Sequence, residues 1–319
     1  MSRVTTGSAP DSRAVADFAH SVRRNVASAV KVPERVLRDV LVALVAGGHL
    51  LIEDYPGVGK TSLARALTLS IDADFARVQC TSDLLPSDVL GTNVFNQRES
   101  KFEFRPGPVF ANVVLVDEIN RASPKTQSGL LECMQERRVT IDARTHELAR
   151  PFLVIATQNP IEYEGTYPLP EAQLDRFMMR VALGYPSADD EARMLAEQSE
   201  YDRVDELGAV ADVADVLRAQ DAAAAVHASE PLRRYVVALL AATRDDPRTR
   251  LGASPRAGLM LLKAAKALAA LERRDHALPD DVQALAEPVL VHRLVPSHET
   301  GPTEGAAIVR DALERVPGL

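Results

Sequence analysis

The sequence contains no tryptophan and few aromatic residues, and its acidic residues outnumber its basic ones. The chain of 319 residues has 45 Asp and Glu residues and 37 Lys and Arg residues, which gives a formal net charge of −8. Proteins that coat nucleic acid hold the phosphate backbone through an excess of positive charge. The overall charge therefore argues against such a protein, although it does not exclude a local basic patch.

Cysteine and long apolar runs are also scarce. Cys80 and Cys133 are too few for a disulfide framework and have no metal-ligand spacing around them, so we expect two small buried apolar residues. The most apolar stretch, residues 40–52, is interrupted by glycines and is too short to span a bilayer. Residues 1–19 lack the apolar core of a signal peptide. We therefore expect a cytoplasmic protein with no membrane insertion.

The apolar pattern predicts an α/β region followed by a helical one. Helices are expected around Val15 to Val26 and from Pro33 to about Gly47. Short apolar runs separated by helical stretches then predict a parallel sheet covered on both faces. These runs are residues 49–52, 75–80, 113–116, 152–156 and 180–183.

Two stretches interrupt the strand–helix alternation, and the pattern changes once more near residue 185. Residues 94–104 and 139–148 alternate in polarity around polar turns, which predicts two inserted β-hairpins. After residue 185 the strand signals end, and an all-helical domain is expected. We predict an N-terminal segment with a helix (1–32), an α/β core (33–185) and a helical domain (186–319), because single cores rarely exceed about 250 residues.

A phosphate-binding loop is predicted between the first strand and the helix after it. Glycines let backbone N–H groups approach phosphate oxygens, and the helix N-terminus adds positive potential. Lys60 would reach the β- and γ-phosphates, and the Thr61 hydroxyl would hold Mg²⁺. The usual pattern starts with glycine where this loop has Asp54, whose side chain we expect to point away from the phosphates. The predicted nucleotide-binding residues are Pro56, Gly57, Val58, Gly59, Lys60, Thr61 and Ser62.

Two carboxylates end the apolar run at residues 113–116. Asp117 fits the carboxylate that helps to hold Mg²⁺, and Glu118 fits a base that polarises the attacking water. A glutamate directly after the aspartate is typical of ATPases that position their own water, and no guanine-reading Asn-Lys-x-Asp sequence is present. Asn159 follows the next predicted strand, where it is either a second residue that holds the water or a turn residue before Pro160.

Two arginines occupy unusual positions. Ser254 and Pro255 make a good N-cap and first helical residue, so Arg256 lies in a first turn, where the helix dipole disfavours a cation. A nearby anion such as an ATP phosphate would explain it. Arg176 precedes the last predicted strand, and either pairs with Asp175 or reaches the ATP of a neighbouring subunit; the sequence leaves both open.

As a set, these motifs resemble the MoxR family of AAA+ ATPases, in the clade with an insert in helix 2. The resemblance spans most of the chain and implies a P-loop core with a five-stranded parallel sheet flanked by helices, two inserted β-hairpins, and a C-terminal all-helical lid domain. The matching stretches are residues 53–61, 107–110, 117–121, 158–160, 165–177 and 254–256.

The resemblance also implies a role for each site residue. Lys60 and Thr61 match Walker A, and Asp117 and Glu118 match Walker B. Asn159 matches sensor 1, Arg176 the arginine finger and Arg256 sensor 2, so that Glu118, Asn159, Arg176 and Arg256 form the expected catalytic set. ATP and Mg²⁺ are the implied cofactors. A hexameric ring, chaperone-like remodelling or maturation of a partner, and partners with von Willebrand factor A domains are implied by the family alone.

Three alternatives stay open at this point. A DNA-translocating motor shares the inserts, and Arg137, Arg138, Arg144 and Arg150 flank or lie within the second hairpin, but that hairpin lacks aromatics for base stacking. A magnesium-chelatase-like motor also shares the inserts, although residues 165–177 fit the MoxR pattern better. The third is a nucleotide-gated binding module with little turnover, against which the intact catalytic set argues.

Overall fold

The computed structural model describes residues 11–159, 165–185, 188, 200–297 and 302–318. The strands in chain order are β1 (Leu50–Glu53), β2 (Phe75–Gln79), β3 (Gly91–Asn96), β4 (Lys101–Pro106), β5 (Val113–Asp117), β6 (Arg138–Ile141), β7 (Arg144–Glu147), β8 (Leu153–Gln158), β9 (Met179–Val181), β10 (Thr249–Leu251) and β11 (Val295–Pro296). The helices are α1 (Ser12–Ala29), α2 (Glu34–Val45), α3 (Lys60–Ser70), α4 (Pro86–Leu90), α5 (Pro124–Glu136), α6 (Glu171–Leu174), α7 (Glu200–Asp205), α8 (Val213–Ala225), α9 (Glu230–Arg244), α10 (Pro255–Leu271), α11 (Pro279–Leu290) and α12 (Pro302–Arg315).

Five parallel strands form the central sheet, in the order β2-β5-β8-β1-β9. Strand β8 therefore lies between β1, which leads into the glycine-rich loop, and β5, which ends in the acidic pair. Since parallel strands bring their carboxyl ends to one edge, the polar residues after these strands lie side by side. This arrangement confirms the predicted sheet and the position of the strand before Asn159.

Strands β1, β5 and β8 are buried on both faces, which explains why they read as nearly continuous apolar runs. Successive side chains point to opposite faces. Leu50 and Ile52 face the layer that contains α1, α2 and α3, whereas Leu51 belongs to a second apolar cluster with α5 and the second hairpin. Cys80 and Cys133 are buried without a disulfide bond, as expected, and burial raises the pKa of each thiol to about 12.

Both predicted hairpins are present and touch each other. Strands β3 and β4 form the first, β6 and β7 the second. The Asn93 side-chain amide donates to Asp142 at 2.7 Å, and the Phe104 ring stacks on His146 with centroids 3.9 Å apart. The two inserts are therefore in direct contact on one side of the core.

The C-terminal region is helical with one addition. Helix α10 packs against α1, α2, α9 and α11, and most of the described lid residues are in helices. Strands β10 and β11 pair in an antiparallel sheet, so the all-helical prediction is corrected at this point. Strands of three and two residues are too short to produce a recognisable alternation, which explains the omission.

Helix α1 contacts both regions of the chain. It packs against α3 of the core and against α8 and α10 of the lid, and Val22 and Val26 are fully buried in the shared apolar cluster. Residues 1–10 and the predicted boundary at residues 185–186 fall wholly or partly outside the described residues, so the three-part division stays a prediction. Within the described chain, no helix is both long enough and apolar enough to cross a bilayer.

Candidate nucleotide-binding site

A cavity opens at the carboxyl ends of β1, β5 and β8. It brings together most of the residues that the sequence singled out, together with three that it did not. The lining residues are Pro56, Gly57, Gly59, Lys60, Thr61, Ser62, Arg77, Gln79, Asp117, Glu118, Thr157 and Asn159. Val58 is the exception in the predicted loop, because its side chain packs into the apolar core and only its backbone remains available to a ligand.

The glycine-rich loop has the backbone that phosphate binding requires. Gly57 and Gly59 have φ values of 82° and 85°, a left-handed conformation that side chains other than glycine adopt only at a cost. Helix α3 begins at Lys60, so its first N–H groups point toward the cavity. The Lys60 ammonium donates to the carbonyls of Asp54 and Tyr55 at 2.9 and 3.1 Å. Its burial lowers the pKa of the Lys60 amine, and the nearby carboxylates act in the opposite direction.

Asp54, the departure from the usual loop pattern, points away from the cavity, as expected. Its carboxylate accepts hydrogen bonds from the backbone N–H of Tyr55 at 2.9 Å and of Gly184 at 2.7 Å. The side chain is buried and is not part of the cavity lining. The rings of Tyr55 and Tyr185 stack with centroids 5.3 Å apart. Asp54 therefore connects the loop to the segment after β9. In this position its carboxylate does not face a phosphate in the cavity.

The acidic pair is held by Thr157, one of the three lining residues that were not predicted from the sequence. The Thr157 hydroxyl donates to Asp117 at 3.2 Å and accepts from the backbone N–H of Glu118 at 2.9 Å. Glu118 has a φ of 56°, which is uncommon for a residue other than glycine and typical of functional sites. Its carboxylate accepts a hydrogen bond from Arg121 at 2.9 Å. The backbone of the proposed base is thus fixed by its neighbouring strand.

Arg77 and Gln79 also line the cavity and were not predicted as site residues. The Arg77 guanidinium donates to Asp117 at 2.7 Å and to Gln79 at 3.3 Å. Both lie on β2, in which Gln79 pairs in register with Asp117 of β5. The signal available in the sequence was a pair of polar residues two positions apart in an otherwise apolar strand, on one face of the sheet. Arg77 is therefore a second cation in the cavity beside Lys60.

The residues present fit ATP with Mg²⁺. Mg²⁺ keeps several waters and is commonly held by one or two carboxylates and substrate phosphates, so it needs few protein ligands. Among the described residues, no three His, Cys, Asp or Glu side chains converge as a protein-only metal site. Thr61 and Asp117 both line the cavity, which matches an ion held mainly by the nucleotide. Lys60, Arg77 and the backbone N–H groups of the loop supply the positive potential that a polyphosphate requires.

Arg176 does not line this cavity. It lies beside another one, together with Gln135 of α5 and residues of the second hairpin. Within the described part of the chain, its guanidinium makes no hydrogen bond or ion pair. The neighbouring Asp175 pairs with Arg293 instead, at 2.7 Å. The structural alternative from the sequence, a pair between Asp175 and Arg176, is therefore wrong.

Arg256 does not line the cavity at the glycine-rich loop either. Ser254 caps α10 as predicted, accepting from the backbone N–H of Ala257 at 3.1 Å. The Arg256 guanidinium donates to the Gln135 side chain at 3.3 Å, so it lies next to a residue that lines the Arg176 cavity. Helix α10 packs on α1 and α2, and the role of Arg256 toward an ATP phosphate stays a prediction.

Comparisons with known proteins agree with this architecture. Residues 49–179 match the model of the ATPase family associated with various cellular activities, and residues 241–312 match an AAA lid domain. A solved structure from Cytophaga hutchinsonii, assigned as an ATPase, superposes with a TM-score of 0.88 at 38% identity and covers 97% of each chain.

Relatives of known sequence identify the family. The uncharacterized protein YeaC of Bacillus subtilis is 49% identical over 278 residues, which cover 86% of this chain and 87% of that protein. Chaperone MoxR1 of Mycobacterium tuberculosis is 41% identical over 275 residues, 83% of this chain and 72% of the relative. Protein MoxR of Paracoccus denitrificans is 34% identical over 314 residues, 89% and 91% of the two chains. With its five-stranded parallel core, helical lid and glycine-rich loop, the chain belongs to the MoxR family of AAA+ ATPases.

Proposed function

We propose that the protein hydrolyses ATP with Mg²⁺ at the interfaces of a ring of identical subunits, a hexamer by family resemblance, and uses this cycle to remodel or mature a partner protein in the cytoplasm. The observation that carries the proposal is the division of the catalytic set. Glu118 and Asn159 line the nucleotide cavity, whereas Arg176 lies in another cavity together with Gln135, and Arg256 donates to Gln135. A subunit interface would bring the two halves together.

The chemistry of the nucleotide cavity follows from its own residues. The loop N–H groups and Lys60 bind the phosphates, and Thr61 with Asp117 would hold Mg²⁺, which offsets phosphate charge when bound. Glu118 orients and polarises the attacking water, and Asn159 forms a hydrogen bond with the same water. Thr157 keeps the backbone of Glu118 in its left-handed conformation and so fixes where the carboxylate starts.

The two arginines supply what this cavity lacks. An arginine offered to the transferring phosphoryl group stabilises its charge and is worth roughly 10³–10⁵ in rate in GTPases. The unpaired state of Arg176 among the described residues leaves its five donors available to a neighbouring subunit's ATP. Arg256 lies close enough to Gln135 to face the same neighbour. Both arginines would then act in trans.

The partner is proposed from the family and from one relative's name. Chaperone MoxR1 is named as a chaperone, and the family resemblance points to proteins with von Willebrand factor A domains. The DNA-translocating alternative gains little from the second hairpin. Arg138 pairs with Glu136 at 3.1 Å, and Arg137 donates to the Gly47 carbonyl at 3.2 Å. Nucleic acid is therefore not proposed as a partner.

Mixed rings test the proposal. Arg176→Ala and Glu118→Gln should each bind ATP with near-normal affinity and hydrolyse almost none. In a mixture, an Arg176→Ala subunit can supply an intact nucleotide cavity while a Glu118→Gln neighbour supplies an intact Arg176. Phosphate release should therefore return in part, after labelled subunits have shown that mixed rings form.

The matched control combines two variants with defects in the same cavity. In a mixture of Lys60→Ala and Glu118→Gln, every subunit has a defect in its own nucleotide cavity. No interface is then complete, so no activity should return. If mixed rings form and the Arg176→Ala mixture is as inactive as this control, Arg176 does not act in trans. Wild-type turnover by Arg176→Ala alone would instead make the residue dispensable.

A further inference from the structure

Asp175 connects the two segments that carry Arg176 and Arg256. It directly precedes Arg176 and follows α6. Its carboxylate accepts a hydrogen bond from the Ser254 hydroxyl, with distances of 3.3 and 3.2 Å to its two oxygens. Ser254 is at the same time the N-cap of α10, the helix in which Arg256 lies in the first turn. One carboxylate therefore contacts both arginine-bearing segments.

Arg293 completes this connection from the lid. Its guanidinium is 1% exposed and forms an ion pair with Asp175 at 2.7 Å. It also donates to the carbonyls of Phe177 and Met178, the residues just after Arg176, and to Val289 of α11. A buried guanidinium is tolerated only when a counter-charge and acceptors surround it. Asp175 supplies that counter-charge. The segment with Arg176, helix α10 and helix α11 are therefore joined through Asp175 and its two partners, Ser254 and Arg293.

None of these contacts takes part in the chemistry of the nucleotide cavity. Asp175, Ser254 and Arg293 are absent from its lining, and Asp175 makes no contact with the guanidinium of Arg176. They hold instead the two chain segments from which the Arg176 and Arg256 side chains extend. A displacement of about 1 Å in a catalytic group can lower a rate by about 10²-fold.

We propose that Asp175 is a positioning residue that holds Arg176 and Arg256 as one rigid unit aimed at the ATP of the adjacent subunit. This role rests on the proposed trans function of Arg176, and it adds the contacts that fix the position of that arginine. It also assigns Arg293 and Ser254 to the same task, since each binds the Asp175 carboxylate.

Asp175→Asn is the principal variant. The amide keeps the shape of the carboxylate but removes the charge opposite Arg293 and one acceptor oxygen. ATP affinity, measured by calorimetry, should stay within about two-fold of wild type because Asp175 lies outside the cavity. The kcat should fall roughly 10- to 100-fold through misplacement of the arginine. An unchanged kcat would overturn the proposal.

Asp246→Asn is the matched control for a loss of stability alone. Asp246 is also a buried carboxylate, 3% exposed at its side chain, and it pairs with Arg248 and Arg315 at 2.8 Å each. These partners all lie within the lid and none touches the Arg176 segment. Asp246→Asn should lower the melting temperature but leave the kcat of the folded protein near wild type. An equal loss of kcat in both variants would show that Asp175 acts only through stability.

Mixed rings separate this proposal from the one on which it depends. Asp175→Asn with Glu118→Gln should recover activity, as Arg176→Ala with Glu118→Gln does. Asp175→Asn with Arg176→Ala should not recover, because both defects lie on the arginine side of the interface. If only the Arg176→Ala mixture recovers, the positioning role is wrong and the trans function stands. If neither recovers, both are wrong.

A second variant covers the case in which Asp175→Asn does not fold. Ser254→Gly removes the hydroxyl bonded to Asp175, and glycine is itself well tolerated at an N-cap. It keeps the ion pair between Asp175 and Arg293. The kcat should fall several-fold at unchanged ATP affinity, and the variant should recover with Glu118→Gln but not with Arg176→Ala. Wild-type kcat in Ser254→Gly, with Asp175→Asn unfolded, would contradict the proposal.

Discussion

The buried ring of His49 should make the stability of the protein depend on pH. Its Nδ1 accepts from the backbone N–H of Val154 and its Nε2 faces the carbonyl of Met134, both at 3.0 Å. Since a backbone N–H can only donate and a carbonyl can only accept, the ring is neutral with its proton on Nε2. Burial is the main cause that lowers the pKa of His49 from 6.5 to about 4.

The size of the effect follows from this shift. The folded chain binds the proton more weakly than the unfolded chain, whose pKa is 6.5. Stability therefore falls as the pH drops below about 6.5 and levels off below about 4. At 1.36 kcal/mol per pKa unit, His49 alone removes about 2 kcal/mol at pH 5 and about 3 kcal/mol at the acid limit. His292 acts in the same direction, because burial lowers its pKa well below 6.5.

His49→Gln isolates the contribution of this one ring. Glutamine can still donate to the Met134 carbonyl, but it does not titrate. The free energy of unfolding would be measured by urea titration at pH 7.5 and pH 5.0, followed by circular dichroism. The wild type should lose about 2 kcal/mol more between these pH values than the variant does. Equal losses in the two proteins would refute the neutral, buried state of His49.

Other substitutions probe the site and the inserts. Thr157→Val removes the hydroxyl that binds Asp117 and the Glu118 backbone, so turnover should fall about 10- to 100-fold while ATP affinity is kept; equal turnover would show that the hydroxyl is dispensable. Gly107→Ala places a Cβ against the backbone of Val89 and Gly91, which should cost about 1–3 kcal/mol and make the first hairpin sensitive to protease; wild-type melting and cleavage would count against this crowding. Single- and double-stranded DNA should leave the ATPase rate unchanged at physiological salt, given the net charge of −8; a several-fold stimulation would favour the DNA-translocating alternative.

Local and repetitive features of the chain were the ones that the sequence predicted well. The strands of the central sheet and both hairpins lie within a few residues of their predicted positions, because two-sided burial produces apolar runs and hairpins produce alternation. The short pair β10–β11 left no such signal and was missed. Thr157 and Arg77 were missed for another reason, since each acts through a neighbouring strand and not through its own motif.

The sequence by itself determined most of the residues that line the cavity at the glycine-rich loop. Its loop is one contiguous motif, and its acidic pair and Asn159 follow strands whose carboxyl ends must meet at one edge of a parallel sheet. Charge alone predicted that the Asp54 side chain points away from the phosphates, but not that it accepts a hydrogen bond from the backbone N–H of Gly184.

The tertiary structure alone decided where the arginines lie and what holds them. The sequence placed Arg256 in the first turn of a helix, and only the docking of α10 on α1 and α2 brings it to Gln135, 121 residues away in the chain. Asp175 was a candidate partner for the adjacent Arg176, yet it pairs with Arg293, 118 residues away. Such contacts depend on how the lid packs on the core. An apolar pattern in the sequence shows which faces are buried, but it does not show which polar groups meet at the edges of those faces.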